Sequence, residues 1–152
     1  MTKKGKTPED FLPDCMTQEL VLLTKISDIT KQIEVQSRQK EIHLDGLAEN
    51  RQIYIDRLKK CRQMIEAACQ PLLPEQQERR KKILSGRFAK EKCTPEEAKL
   101  LELGAKCNSV LQEMLVTDRE ARERLQQECD RLQKLLHTSR RPAAKKGYFK
   151  NG

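Results

Sequence analysis

From Leu47 to Leu72 one set of positions recurs at alternating steps of four and three: Leu47, Arg51, Tyr54, Leu58, Cys61, Ile65, Ala68 and Leu72. Seven of these eight are apolar. The mean step of 3.5 residues is that of a helix presenting one stripe to a neighbour, and it excludes a strand, whose faces repeat every two residues. Pro71 and Pro74 end the pattern, because proline lacks the backbone N–H that the helix needs and clashes one turn back. The predicted helix, residues 47–70, is about 36 Å long at 1.5 Å per residue.

The same spacing recurs on both sides. Leu22, Ile26, Ile29 and Ile33, widened by Leu20 and Leu23, predict a helix over 16–39. Thr94-Pro95-Glu96-Glu97 is a capping box with proline at the first helical position. It opens a helix over 95–137 with the stripe Leu101, Ala105, Asn108, Leu111, Leu115, Asp118, Arg122, Leu125, Cys129, Leu132 and Leu136. A shorter charged helix is expected over 75–85, ended by Gly86. Between the first two helices, His43-Leu44-Asp45-Gly46 is read as a break with Asp45 as the new N-cap, in preference to a glycine tolerated in a continuing helix. Pro13 is expected to end any turn begun at Thr7-Pro8-Glu9-Asp10, which leaves 1–14 as a loose arm.

Composition decides how such helices can pack. Hydrophobic residues make up 36% of the 152 and charged residues another 36%, with five aromatics in all. That is too little apolar volume for a thick core and enough for thin seams between long helices. The expected fold is all-α: an elongated antiparallel helical hairpin or bundle of three long amphipathic helices with coiled-coil-like packing. It forms a single helical domain over 15–138, followed by a disordered basic tail over 139–152.

Several functional classes are not supported. No run of about 18 apolar residues is present to span a bilayer, and no apolar h-region follows the basic Met1–Lys6, so a cytoplasmic protein is expected. The six cysteines, Cys15, Cys61, Cys69, Cys93, Cys107 and Cys129, include no C-x-x-C pair, and the only histidines are His43 and His137. Reduced structural thiols are expected, with no metal site and no cofactor. No catalytic constellation or phosphate-binding glycine loop is present, so the chain is read as a non-enzyme.

Three polar residues interrupt the last stripe: Asn108, Asp118 and Arg122. Asp118 and Arg122 stand four apart on one face and are candidates for setting register, as buried polar residues do in coiled coils. The net charge of +8 is concentrated in 79–92, with seven basic residues against Glu91, and in the +5 tail. Both segments read as exposed and mobile. The tail carries Tyr148 and Phe149 beside its lysines, a weak signal for nucleic acid, and a basic tail is more often a solubilising extension or a docking peptide. The partner-binding candidates are Leu125, Cys129, Leu132 and Leu136, running into Tyr148 and Phe149.

Two segments resemble a known family. Leu47-Ala48-Glu49-Asn50-Arg51-Gln52-Ile53-Tyr54-Ile55-Asp56-Arg57-Leu58 resembles the opening of the second helix of flagellar export chaperones of the FlgN and FliT type. Leu111-Gln112-Glu113-Met114-Leu115-Val116-Thr117-Asp118 resembles their later helix, and the lysine- and tyrosine-bearing end resembles some of their tails. The likeness covers helix order and length over roughly 16–150, and the basic 79–92 departs from it. It implies a small cytoplasmic helical chaperone without ATPase activity. Such a chaperone binds the helix-forming end of a late flagellar export substrate, of hook–filament junction or cap type, and carries it to the export gate. The alternative is a coiled-coil structural or adaptor protein, including a homodimer, with nucleic-acid binding a third reading.

Overall fold

The computed structural model describes residues 11–143. Among them every regular element is helical and no strand occurs. There are four α-helices: α1 (Leu12–Ser37), α2 (Leu47–Cys69), α3 (Pro74–Leu84) and α4 (Pro95–Ala143), with a 3-10 turn at Lys90–Lys92 before α4.

α1 is the enclosed helix. It packs against both α2 and α4, and it contributes Leu12, Cys15, Met16, Leu22, Leu23, Ile26 and Ile29 to the core. Cross-helix contacts set the directions. Cys61 Sγ donates to Cys15 O and Arg51 Nε to Thr30 Oγ1, so α2 runs antiparallel to α1. Cys107 Sγ donates to Met16 O and Arg124 pairs with Glu34, so α4 runs parallel to α1.

α1 begins earlier than the sequence suggested. Pro13 lies in its first turn, where its missing N–H would be unpaired anyway, and it starts the helix instead of ending it. Residues 11–14 are thus no part of a loose arm. Leu12, fully buried, and Cys15 anchor this turn in the core. Residues 1–10 lie outside the described residues. The break before α2 is present, but its cap differs from expectation. Gly46 is the N-cap at φ +79°, and Asp45 precedes it in the left-handed region at φ +44°, with no side-chain cap.

The packed residues of α2, Leu58, Cys61, Ile65 and Ala68, all lie on the stripe read from the sequence. Those of α4 do not. Its packed line is Leu100, Gly104, Cys107, Leu111, Met114, Asp118, Ala121 and Leu125, still stepping by four and three but mostly one residue earlier than the expected stripe. Leu115 and Ala105 are exposed. The reason is steric. A Cβ at Gly104 would lie 2.2 Å from Leu84 O, so α3 approaches α4 where there is no side chain. The register follows the small residues rather than the large ones.

The basic 79–92 is also folded rather than mobile. Pro74 opens α3, and Leu73 N–H donates to Gln76 Oε1 at 3.1 Å. Gly86, at φ +77°, closes it with Arg87 N–H donating to Lys82 O. Ile83 is fully buried beneath α4. α4 continues to Ala143, so 139–143 belong to a helix and not to the tail.

Alanine is the better helix former by about 1 kcal/mol, yet Gly104→Ala is expected to destabilise by about 1–3 kcal/mol through the clash with α3. Urea denaturation gives the sign, and a stabilised variant would contradict the close approach.

Candidate partner-binding site

Among the described residues, four ionic contacts between helices involve a mostly buried carboxylate, and Lys31 of α1 also meets Glu113 of α4 at 3.8 Å on the surface. At the centre, Arg51 of α2 reaches both neighbours. Its Nε donates to Thr30 Oγ1 at 2.8 Å, and one terminal nitrogen lies 3.3 Å from Asp118 Oδ1 and 3.5 Å from Met114 Sδ. Thr30, buried, donates in turn to Ile26 O at 2.7 Å. Asp118 also pairs with Arg122 at 2.7 Å, the i,i+4 partner picked out in the sequence, but the Arg122 side chain is 73% exposed. The contact of Asp118 that crosses between helices is with Arg51. Asn108 is half-buried beside the packed line, next to Cys107.

The other three contacts were not legible in the sequence. Buried Glu19 of α1 accepts from Arg62 of α2 at 3.3 Å. Glu34 of α1 pairs with Arg124 of α4 and with Arg38. Arg79 of α3 meets Glu97 of α4 at 2.7 Å and stacks over the Phe88 ring at 4.6 Å. Glu97 also completes the expected capping box, accepting from Thr94 N–H and donating its own N–H to Thr94 Oγ1. The Arg79 hydrogen bond, helped by Thr94, holds the Glu97 carboxyl at about 2 against the opposing effect of burial.

Beyond Glu128, every α4 residue whose burial is described, up to Thr138, is exposed. Leu125 is half-buried and Cys129 exposed. Leu132, Leu135 and Leu136 are 46%, 52% and 57% exposed. They continue both the packed line, through Leu125, Glu128, Leu132 and Leu135, and the expected stripe through Cys129 and Leu136. Leu135 was missed in the sequence because it lies on the first of these lines. The described residues thus bring Leu125, Cys129, Leu132 and Leu136 onto one helix flank. Tyr148 and Phe149 lie outside the described residues.

The thiols divide by environment. Cys15, Cys61 and Cys107 are buried near one end of the bundle. Burial pushes Cys61 up to about 11 and Cys107 up to about 12, and it raises Cys15. Among the described residues Cys15, Cys61, Cys93, Cys107 and Cys129 form no disulfide, no group of side chains is arranged to hold a metal ion, and no helix is long and apolar enough to cross a membrane. Comparison with protein families, curated proteins and solved structures returns no match for this chain.

Two outcomes follow from these environments. Because the Glu97 carboxyl is depressed when folded, its contribution is complete above about pH 4.5 and is lost as pH falls toward 2. Glu97→Gln is expected to flatten the stability profile across that window, as followed by urea midpoints. In the native protein at pH 7.5, a thiol reagent is expected to label Cys129 first and to leave Cys15, Cys61 and Cys107 unmodified until denaturant is added, as read by mass spectrometry.

Proposed function

We propose that the protein is a non-enzymatic helical chaperone that holds an apolar helix of a protein partner along the distal half of α4. One observation carries the reading: three leucines, Leu132, Leu135 and Leu136, stand exposed on a folded helix that outruns its own bundle. Water-facing leucines grouped on one flank mark an interaction surface. A helix laid along them completes the seam by inserting anchors at i, i+3, i+4 and i+7. The elongated form expected of three long helices suits this role, because it leaves one helix end available without opening the core.

The likeness carried by Leu47–Leu58 and Leu111–Asp118 supplies the partner class, the helix-forming end of a late flagellar export substrate in the cytoplasm. It also assigns the tail with Tyr148 and Phe149 to docking at the export gate. A structural or adaptor role would place a second copy of this chain on the same flank. From Leu125 to Leu136 the flank is only about 17 Å long, a short seam beside the roughly 800 Å² per partner of a stable interface. Nucleic-acid binding gains one point from the folded basic surface carrying Lys81, Lys82, Arg87, Lys90 and Lys92, and it predicts a strongly salt-dependent affinity.

Leu132→Asp tests the proposal. The site is exposed, so stability is expected to change by less than about 1 kcal/mol, with the helical circular dichroism retained. Binding of a hook–filament junction or cap protein's terminal segment, measured by calorimetry, is expected to weaken by about a hundredfold or more, because a carboxylate would enter a desolvated seam. Unchanged binding would remove α4 from the site. A fall in sedimentation mass on the same substitution would point to a homodimer.

A further inference from the structure

A second apolar surface lies at the other end of the bundle, on the flank of α1 turned away from α4. It is a groove of about 400 Å³ between α1 and α2. Cys15, Leu22 and Cys61 are its buried floor, and Phe11 and Met64 are walls that remain 45% and 61% exposed. Gln18, on the same wall, is two residues from Met16, whose carbonyl accepts from Cys107 of α4. Two residues are about 200° of rotation on a helix, so the groove and α4 occupy opposite sides of α1. No contact of the proposed α4 site involves it, and the inference goes beyond that reading.

Shape and charge select the occupant. From Phe11 to Leu22 the groove runs for about 17 Å, or three helical turns, and it is open along its length between two antiparallel helices. A third helix laid there packs ridges into the groove and converts this end of the molecule into a four-helix arrangement. The α2 wall is basic. Among the described residues of the lining, Arg57 and Lys60 of α2 are cationic and Asp14 of α1 is the one carboxylate. Arg57 lies over the Tyr54 ring, and Arg57 and Lys60 are both exposed residues of the groove lining. We infer that the α1–α2 groove between Phe11 and Met64 docks an acidic amphipathic helix, whose apolar side chains meet Leu22 and Met64 and whose carboxylates meet Arg57 and Lys60.

Met64 provides the readout. The chain has four methionines, of which Met16 and Met114 are buried in the core. With the full chain labelled at methionine methyl carbons, a synthetic three-turn helical peptide with leucines at i, i+3, i+4 and i+7 and glutamates elsewhere is titrated in. The Met64 signal is expected to shift while Met16 and Met114 hold. The lysine-for-glutamate peptide is expected to bind about tenfold more weakly or worse, as is the glutamate peptide to the R57E/K60E variant. Both substitutions are at exposed positions, and circular dichroism verifies that the variant is folded. A silent Met64 signal, or equal affinity for the two peptides, overturns the inference. So does loss of peptide binding on Leu132→Asp with R57E/K60E unaffected, which places the peptide on α4. A Met64 shift that depends on protein concentration without peptide assigns the groove to a second copy of the chain and overturns it too.

Discussion

The chain has apolar residues enough to enclose one helix, and that helix is α1. α2 covers one of its flanks and α4 another, and among the described helices no other packs on it to a comparable extent. α1 has 26 residues and α4 has 49, about 39 Å against about 73 Å, and the two run parallel, with α4 extending past α1 at both ends. Pairing is in step: Met16 meets Cys107 and Glu34 meets Arg124, 18 residues apart on one helix and 17 on the other. Past the Glu34–Arg124 pair α1 continues for only three residues, to Ser37, while α4 continues for nineteen, to Ala143. The exposed leucines are therefore a consequence of unequal helix lengths, not of a defect in packing.

Thin seams slip easily, and the polar contacts in this molecule oppose slipping. Moving α2 by one turn along α1, about 5.4 Å, would leave Glu19 without Arg62 and Thr30 without Arg51. The same step would strand Asp118, which is mostly buried, with Arg122 alone. Pairs of this kind add little net stability because desolvation offsets their attraction, while losing one partner is expensive. Their weight falls on register. Arg51 bears most of it, since a single guanidinium touches α1 through Thr30 and α4 through Met114 and Asp118.

What the sequence made legible follows from the size of the side chains doing the packing. The α2 stripe could be read directly because Leu58 and Ile65 both pack and raise local hydrophobicity. The α4 line was misplaced because Gly104, Cys107 and Ala121 pack closely while adding little to an apolar pattern, and Leu101 and Leu115 beside them add much. Pro13 was read as a stop because its effect depends on whether it falls in the first turn, which only the burial of Leu12 decides. The basic 79–92 has no apolar period, so its order is invisible without the Gly104–Leu84 approach. On the proposed site, Leu125, Cys129, Leu132 and Leu136 came from periodicity alone. The Phe11–Met64 groove could not, because it exists only once α1 and α2 are laid side by side.

The two open apolar surfaces cannot be occupied by one straight helix. Met16 is level with Cys107, and Leu132 stands 25 residues further along α4, about 37 Å away. The groove also faces away from α4, so the two surfaces differ in direction as well as height. A single partner engaging both would need two helical segments joined by a linker that crosses the α1–α2 pair. Two separate partners would need no such linker. Their surfaces also differ in charge: the groove edge is basic, whereas distal α4 mixes Glu128, Asp130, Arg131 and Lys134. On the two proposals, that difference would let each surface reject the helix suited to the other.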